Sequence, residues 1–225
     1  GSVIRFDLLL NGASFPMALD YSDYRPINRD IATQTLAYFK MQYDRQGYDL
    51  EQVIPGGFPP NDLLLYAHIR RLRQDRLQLG CLYDVYGRFG KGFAFDSRQK
   101  CIERLRAQPH INFCGGFEFV RYARSLREAS RARICIDLPG NGDFCFRLVD
   151  YLALGTCIIA YPHGNRFPCE LKDRRHIVYM KEDMSDLIEL VDYYLSHENE
   201  RQAIGTNAAQ YFDEHLSYKA IASYY

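Results

Sequence analysis

The 225-residue chain has no excess of either sign of charge: 28 Lys and Arg stand against 28 Asp and Glu. Without a net field there is no general attraction to nucleic acid or to an acidic membrane surface. Long hydrophobic runs are missing as well. The longest, such as Leu8-Leu9-Leu10 and Thr156-Cys157-Ile158-Ile159-Ala160, fall far short of the roughly 20 apolar residues a transmembrane helix requires. Gly1-Ser2 reads as a cloning remnant, and no basic-then-apolar signal segment follows it; the expectation is a cytoplasmic protein. The seven cysteines, at 81, 101, 114, 135, 145, 157 and 169, form no C-x-x-C pair and no short-spaced cluster with His, so no metal site is expected. Cys114, Cys135 and Cys157 fall in apolar, β-like runs and read as small buried hydrophobes. No internal repeat or low-complexity stretch occurs.

What is present is globular. Hydrophobic residues make up 47% and charged residues 25% of the chain, ample for a core and too apolar for disorder. The run Ile54-Pro55-Gly56-Gly57-Phe58-Pro59-Pro60-Asn61 packs three prolines and two glycines into eight residues, which breaks any helix or central strand and marks a boundary. Residues 1–60 read as a small N-terminal α/β unit: Arg5–Leu10 and Met17–Asp20 are β-like, joined by the Asn11-Gly12 turn, and Ile31–Tyr43 reads as a helix. In residues 61–225, Asn61 or Asp62 is positioned to cap a helix through Leu65, Ile69 and Leu72. Apolar runs at Leu79–Tyr86, Ile111–Cys114, Ala132–Leu138, Thr156–Tyr161 and His176–Met180 then alternate with helical patterns at Asp96–Ala107, Glu118–Ser130 and Cys145–Leu154. That alternation predicts an α/β, Rossmann-like parallel sheet flanked by helices. Two helices close the chain, one capped by Asp183 and burying Leu187, Leu190, Val191 and Tyr194, the next carrying Ile204, Ala208, Tyr211, Phe212 and Leu216 on one face.

Ligands of such sheets bind at the carboxyl ends of the strands. Two loops there stand out. Gly87-Arg88-Phe89-Gly90-Lys91-Gly92 combines close-approach glycines with the cations Arg88 and Lys91, although an ordinary basic loop accounts for it equally well. Pro139-Gly140-Asn141-Gly142-Asp143-Phe144-Cys145-Phe146-Arg147 leads into a helix, with Asp143 as a cap and Arg147 one turn in, the makings of an anion site. Its bland reading is an Arg147–Asp150 surface pair. Neither loop is G-x-G-x-x-G or a Walker motif, which disfavours NAD and ATP phosphate loops. Gly115-Gly116 reads first as a tight turn, and second as a place where a base or ribose approaches the backbone.

The stretch Arg147-Leu148-Val149-Asp150-Tyr151-Leu152-Ala153-Leu154-Gly155-Thr156-Cys157-Ile158-Ile159, followed by Arg166-Phe167-Pro168-Cys169-Glu170, His176–Tyr179 and Asp183–Leu187, resembles the donor-binding half of GT-B glycosyltransferases. The exostosin-like and CAP10-like O-glucosyltransferase group is nearest in flavour, over residues 80–216. The resemblance implies a nucleotide-diphosphate sugar donor, UDP-sugar first, with no separate cofactor. By position it carries over Arg147 and Arg88 for the pyrophosphate, Gly140, Asn141, Gly142 and Asp143 beside the sugar and phosphates, and Glu170 facing the donor. With Gly87, Lys91 and Gly115 these make up the expected donor site. Asp20-Tyr21-Ser22-Asp23 in the N-terminal unit supplies the general-base candidates Asp20 and Asp23, each of which also reads as a turn cap. The expected function is metal-independent sugar transfer to a hydroxyl acceptor, whether glycan, lipid-linked or protein. The alternatives are a non-catalytic nucleotide-sugar-binding or scaffolding domain and, third, a flavodoxin-like signalling domain that lacks the acidic cluster such domains need.

Overall fold

The computed structural model describes residues 2–60 and 62–225. Asn61, one of the two residues expected to cap the following helix, lies outside the described residues. The chain divides into two compact units.

The first unit comprises residues 1–58, 141–144 and 163–170. The two later segments correct the single boundary read at residue 60, and backbone pairing holds them here. The amide of Arg45 donates to the Gly164 carbonyl at 2.9 Å and that of Arg166 to the Tyr43 carbonyl at 3.0 Å, while Asp44 and Asn165 form an antiparallel bridge. The buried Gln42 side chain donates to the Phe144 carbonyl at 2.9 Å and accepts from its amide at 3.2 Å, so one side chain satisfies both backbone groups that strand pairing would otherwise serve.

Strands β1 (Val3–Leu10), β2 (Ala13–Asp20), β3 (Ala37–Lys40) and β4 (Val53–Pro55) form a sheet in that order. The first two pair antiparallel through Asn11 and Gly12, both at positive φ, as a two-residue hairpin turn requires. The β2–β3 and β3–β4 pairs are parallel. The helix expected over 31–43 is absent. Only α1 (Arg29–Ala32) forms, capped by the Asn28 side chain, and the chain then enters β3. Tyr38, Phe39 and Lys40 are all buried, because a strand inside a sheet is covered on both faces and shows no polar stripe.

The second unit holds α2 (Leu64–Leu79), β5 (Tyr83–Arg88), α3 (Phe95–Arg106), β6 (Phe113–Gly116), α4 (Tyr122–Ser130), β7 (Ala132–Asp137), α5 (Phe146–Leu154), β8 (Cys157–Ala160), β9 (Val178–Tyr179), α6 (Leu187–Ser196), α7 (Glu198–Tyr211) and α8 (Tyr218–Tyr224), with a single π-helical turn at Phe212–Leu216. The five strands are parallel in the order β6-β5-β7-β8-β9. This is the expected α/β layer with its helices on the sheet. Helix α2 runs through Leu79, so β5 starts later than expected and takes Gly87 and Arg88 into the strand. Asp62 accepts from the Leu64 amide at 2.9 Å at the start of α2. Asp186, not Asp183, is the N-cap residue of α6; Asp183 instead accepts from the Ser185 amide within the preceding turn. Leu187, Leu190, Val191 and Tyr194, and likewise Ile204, Ala208, Tyr211, Phe212 and Leu216, are buried. Val85, Ile134, Ile136, Cys157 and Ile159 form the centre of the core under α3 and α6. Burial pushes the Cys101, Cys135 and Cys157 thiols up to about 12. No helix is long and apolar enough to cross a membrane among the described residues.

Candidate functional site

In the second unit the charged cluster sits at the carboxyl ends of β5 and β7. Asp137, the last residue of β7, is fully buried, and Arg147, in the first turn of α5, donates to it through Nε at 3.1 Å. Arg147 also donates through Nη2 to the Leu138 carbonyl. This replaces the expected Arg147–Asp150 surface pair. Asp150 is itself buried and accepts from the Tyr122 hydroxyl at 2.6 Å.

A second guanidinium joins the cluster. Arg98, from α3, is buried and donates to the Gly90 carbonyl at 2.7 Å and to the Pro139 carbonyl at 2.7 and 3.1 Å. It thereby ties the loop after β5 to the loop after β7. Both cations lie against the Phe89 ring, with Arg147 Cζ 5.0 Å and Arg98 Cζ 5.9 Å from its centroid. Burial and the nearby Arg147 charge both lower the Arg98 pKa. Burial would lower Arg147 too, but Cys145 and the Asp137 carboxylate outweigh it and hold its pKa above the ordinary arginine value. Each guanidinium has five N–H donors. The bonds above use three of those on Arg98, which also bonds the Cys145 side chain, and two of those on the partly exposed Arg147, so donors remain on Arg147 for a ligand. No side chain caps α5, so the positive end of its dipole adds to the same field.

Arg88 does not join this pair. Alternation along β5 puts its side chain on the face opposite Phe89, where Nε donates to Glu128 at 2.7 Å and Nη1 lies 3.7 Å from Glu118. Its charge is met by carboxylates, and Arg88 and Arg124 together hold Glu128 below the usual carboxylate range against the opposing effect of burial. Gly87 and Gly115 pair across β5 and β6, and a Cβ on Gly115 would come within 2.0 Å of the Gly87 carbonyl oxygen. Gly115 therefore serves strand packing, not a turn. Lys91 stands 5.9 Å over the Phe117 ring, and Gly140 follows the Pro139 carbonyl that Arg98 holds.

The remaining expected residues belong to the first unit. Asp143 does not cap α5. It accepts from the Gly164 amide at 2.7 Å and from Arg25 at 2.6 Å. Asn141 Nδ2 lies 3.5 Å from Asp23 Oδ2, and a Cβ on Gly142 would fall 2.6 Å from both the Asp23 carbonyl oxygen and Gln42 Nε2. Glu170 is exposed and 3.8 Å from Arg45. Asp20 is sealed: it pairs with the buried Lys40 at 3.1 Å and accepts from the Tyr38 hydroxyl at 2.5 Å and the Ser22 amide at 2.8 Å. Burial lowers the Lys40 pKa, with Asp20 opposing. A carboxylate so enclosed has no exposed oxygen with which to take a proton from an acceptor, which corrects its reading as a base. Asp23 is only half-buried. Sequence reasoning missed Arg98, Asp137 and Phe89; the one local signal was an arginine placed one turn into the helix after a glycine-rich loop.

A family model described as glycosyl transferase-like matches residues 98–225, more than half of the chain. The chain belongs to the glycosyl transferase-like family. Among solved structures, Anabaena Alr3699/HepE in complex with UDP and glucose is similar at a TM-score of 0.51 and 15% identity, over 87% of this chain and 63% of that one. The same protein in complex with UDP-glucose gives 0.50 and 14%, over 86% and 64%. The C-terminal domain of a group 1 family glycosyl transferase (LpcC) of Francisella tularensis gives 0.42 and 13%, over 69% and 93%. The fold is thus that of GT-B glycosyltransferases, and the chain spans less than two thirds of the length of HepE. No curated protein matches the sequence.

Proposed function

We propose that the chain binds a nucleotide-diphosphate sugar, UDP-sugar in the first instance, and transfers the sugar to a hydroxyl acceptor. The observation that carries this is the pair of guanidiniums, Arg98 and Arg147, that both lie against Phe89 at the carboxyl ends of β5 and β7, with Arg147 in the first turn of α5. Negative charge grows on the departing diphosphate in the transition state, and preorganised donors in a buried site stabilise such charge strongly. Two guanidiniums and a helix N-terminus supply that stabilisation themselves, so turnover is expected to survive EDTA. The HepE structures, which hold UDP with glucose or UDP-glucose, support the choice of donor. Within this family the order of motifs from Arg147 to Ile159 supports the exostosin-like and CAP10-like neighbourhood. Asp23 is the proposed base, since Asp20 is enclosed by Lys40, Tyr38 and Ser22.

The enclosure of Asp20 also favours a second reading, a domain that binds the sugar nucleotide without turning it over. Release of free nucleoside diphosphate from UDP-, GDP- and dTDP-sugars, with and without EDTA, separates the two. Turnover of one donor supports transfer. Binding of a sugar nucleotide with no turnover in the presence of any acceptor supports the second reading, and no binding at all contradicts both.

A further inference from the structure

The hairpin of the first unit leaves one edge of its sheet open. Tyr21 donates from its amide to the Ser2 carbonyl at 2.9 Å, and β1 pairs with β2 without a break from Val3 to Leu10. Even-numbered residues of β1 therefore turn their backbone groups toward β2, while Val3, Arg5, Asp7 and Leu9 turn theirs outward. Neither a proline nor a bulge blunts this edge, the usual protections against pairing with another chain. The side chains of Ile4, Phe6, Leu8 and Leu10 share one face, opposite the face on which Ala18, the partner of Arg5, enters the core. Ile4, Leu8 and Leu10 are exposed there, and Leu9 is exposed on the other face.

We infer that this edge pairs with β1 of a second copy of the chain, antiparallel, about a two-fold axis at Phe6. In a two-fold ladder every facing pair has the same sum of residue numbers, and outward backbone groups can only meet outward ones. The axis must therefore pass through a residue of β1, not between two. An axis at Arg5 sets Arg5 against Arg5, and one at Asp7 sets Asp7 against Asp7, and like charges directly opposite are destabilising. Axes nearer either end shorten the ladder and leave both charges unpaired. An axis at Phe6 sets Arg5 against Asp7 twice. It also sets Val3 against Leu9 in hydrogen-bonded positions, and Ile4 against Leu8 and Phe6 against Phe6 in the closer, non-hydrogen-bonded ones. The strand is thus self-complementary in charge and in apolar contact at one register, and the two four-stranded sheets become one.

The test is sedimentation over a concentration series, with charge reversal at the two positions. The wild type is expected to dimerise, and Arg5→Asp or Asp7→Arg to weaken the dimer at least about tenfold through facing like charges. The combined Arg5→Asp, Asp7→Arg chain restores the complement and is expected to regain wild-type association. Phe6→Cys, which places a thiol against its own symmetry mate, is expected to cross-link on oxidation where the parent does not. A chain that stays monomeric throughout leaves the edge to a different protein and overturns the inference, as does a dimer indifferent to charge reversal or a double reversal that fails to recover. If a reversed variant does not fold, the Phe6→Cys cross-link decides alone.

Discussion

Lys40–Asp20 in the first unit and Arg147–Asp137 in the second each set a cation against a buried carboxylate, with opposite consequences. In the first unit Lys40 and Asp20 are both sealed, and Asp20 has its oxygens taken by Lys40, Tyr38 and Ser22. In the second, Arg147 meets Asp137 at a similar distance, but its side chain is 18% exposed, and Arg98 stands beside it bonded to the Gly90 and Pro139 carbonyls and to no carboxylate that neutralises it among the described residues. The first pair closes on itself; the second leaves a surplus of positive charge and of N–H donors. What separates a structural ion pair from a binding site here is the donor count after the local partners are satisfied, not the presence of buried charge.

The comparison breaks most visibly at Lys40. Lys40→Met strands Asp20 without a cation in the core, and loss of one partner of a buried pair costs about 3–5 kcal/mol, read as a fall in Tm or denaturation midpoint. Donor affinity of the folded fraction should not move, and Lys40→Met with Asp20→Leu should recover most of the loss. The corresponding change in the second unit, Arg147→Lys, keeps a cation for Asp137 but loses the forked donors. Its kcat/KM is expected to fall about 100-fold, the effect of one lost oxyanion donor, with a much smaller change in Tm. Asp23→Asn is expected to lower kcat by about 100-fold, the lower bound for a lost general base, with donor affinity unchanged in a binding titration. Near-wild-type turnover would remove Asp23 from the mechanism.

Asp150 is a third buried carboxylate, which accepts from the Tyr122 hydroxyl. Burial raises its pKa from 3.8 to about 7, with Tyr122 and Arg147 pulling the other way. The folded state then holds a proton that the unfolded chain has released, so stability is greatest below the unfolded value and is lost as pH rises toward 7. The loss is about 1.4 kcal/mol for each unit by which the pKa is raised. Asp150→Asn should flatten this part of the stability–pH curve; an unchanged curve would assign the dependence to another group.

The sequence made some of these features legible and hid others for physical reasons. Helices α6 and α7 announce themselves because each is wet on one side, so their buried residues recur with the helical period. The Asn11-Gly12 turn is legible because few other residues accept two left-handed positions in succession. Strand β3 is not legible, since burial of Tyr38, Phe39 and Lys40 in succession erases the alternation that marks a strand. Arg147 could be read from its place after a glycine-rich loop. Arg98 has the same placement, one turn into α3 after the Gly87–Gly92 loop, but nothing near it in sequence reveals that it reaches Pro139 from the other loop. Arg88 was misleading because an alternating strand turns it toward Glu128, whereas in a loop it would have been free to point at a ligand.

The most direct test of the paired-guanidinium site is a calorimetric comparison of UDP with uridine, in the wild type and in a chain carrying Arg98→Gln and Arg147→Lys. The account predicts that the wild type binds UDP at least about tenfold more tightly than uridine, one charge-assisted hydrogen bond being worth about 1.5–3 kcal/mol, and that the double variant loses that preference while still folding. Equal affinity for UDP and uridine in the wild type, or an undiminished preference in the variant, would contradict it.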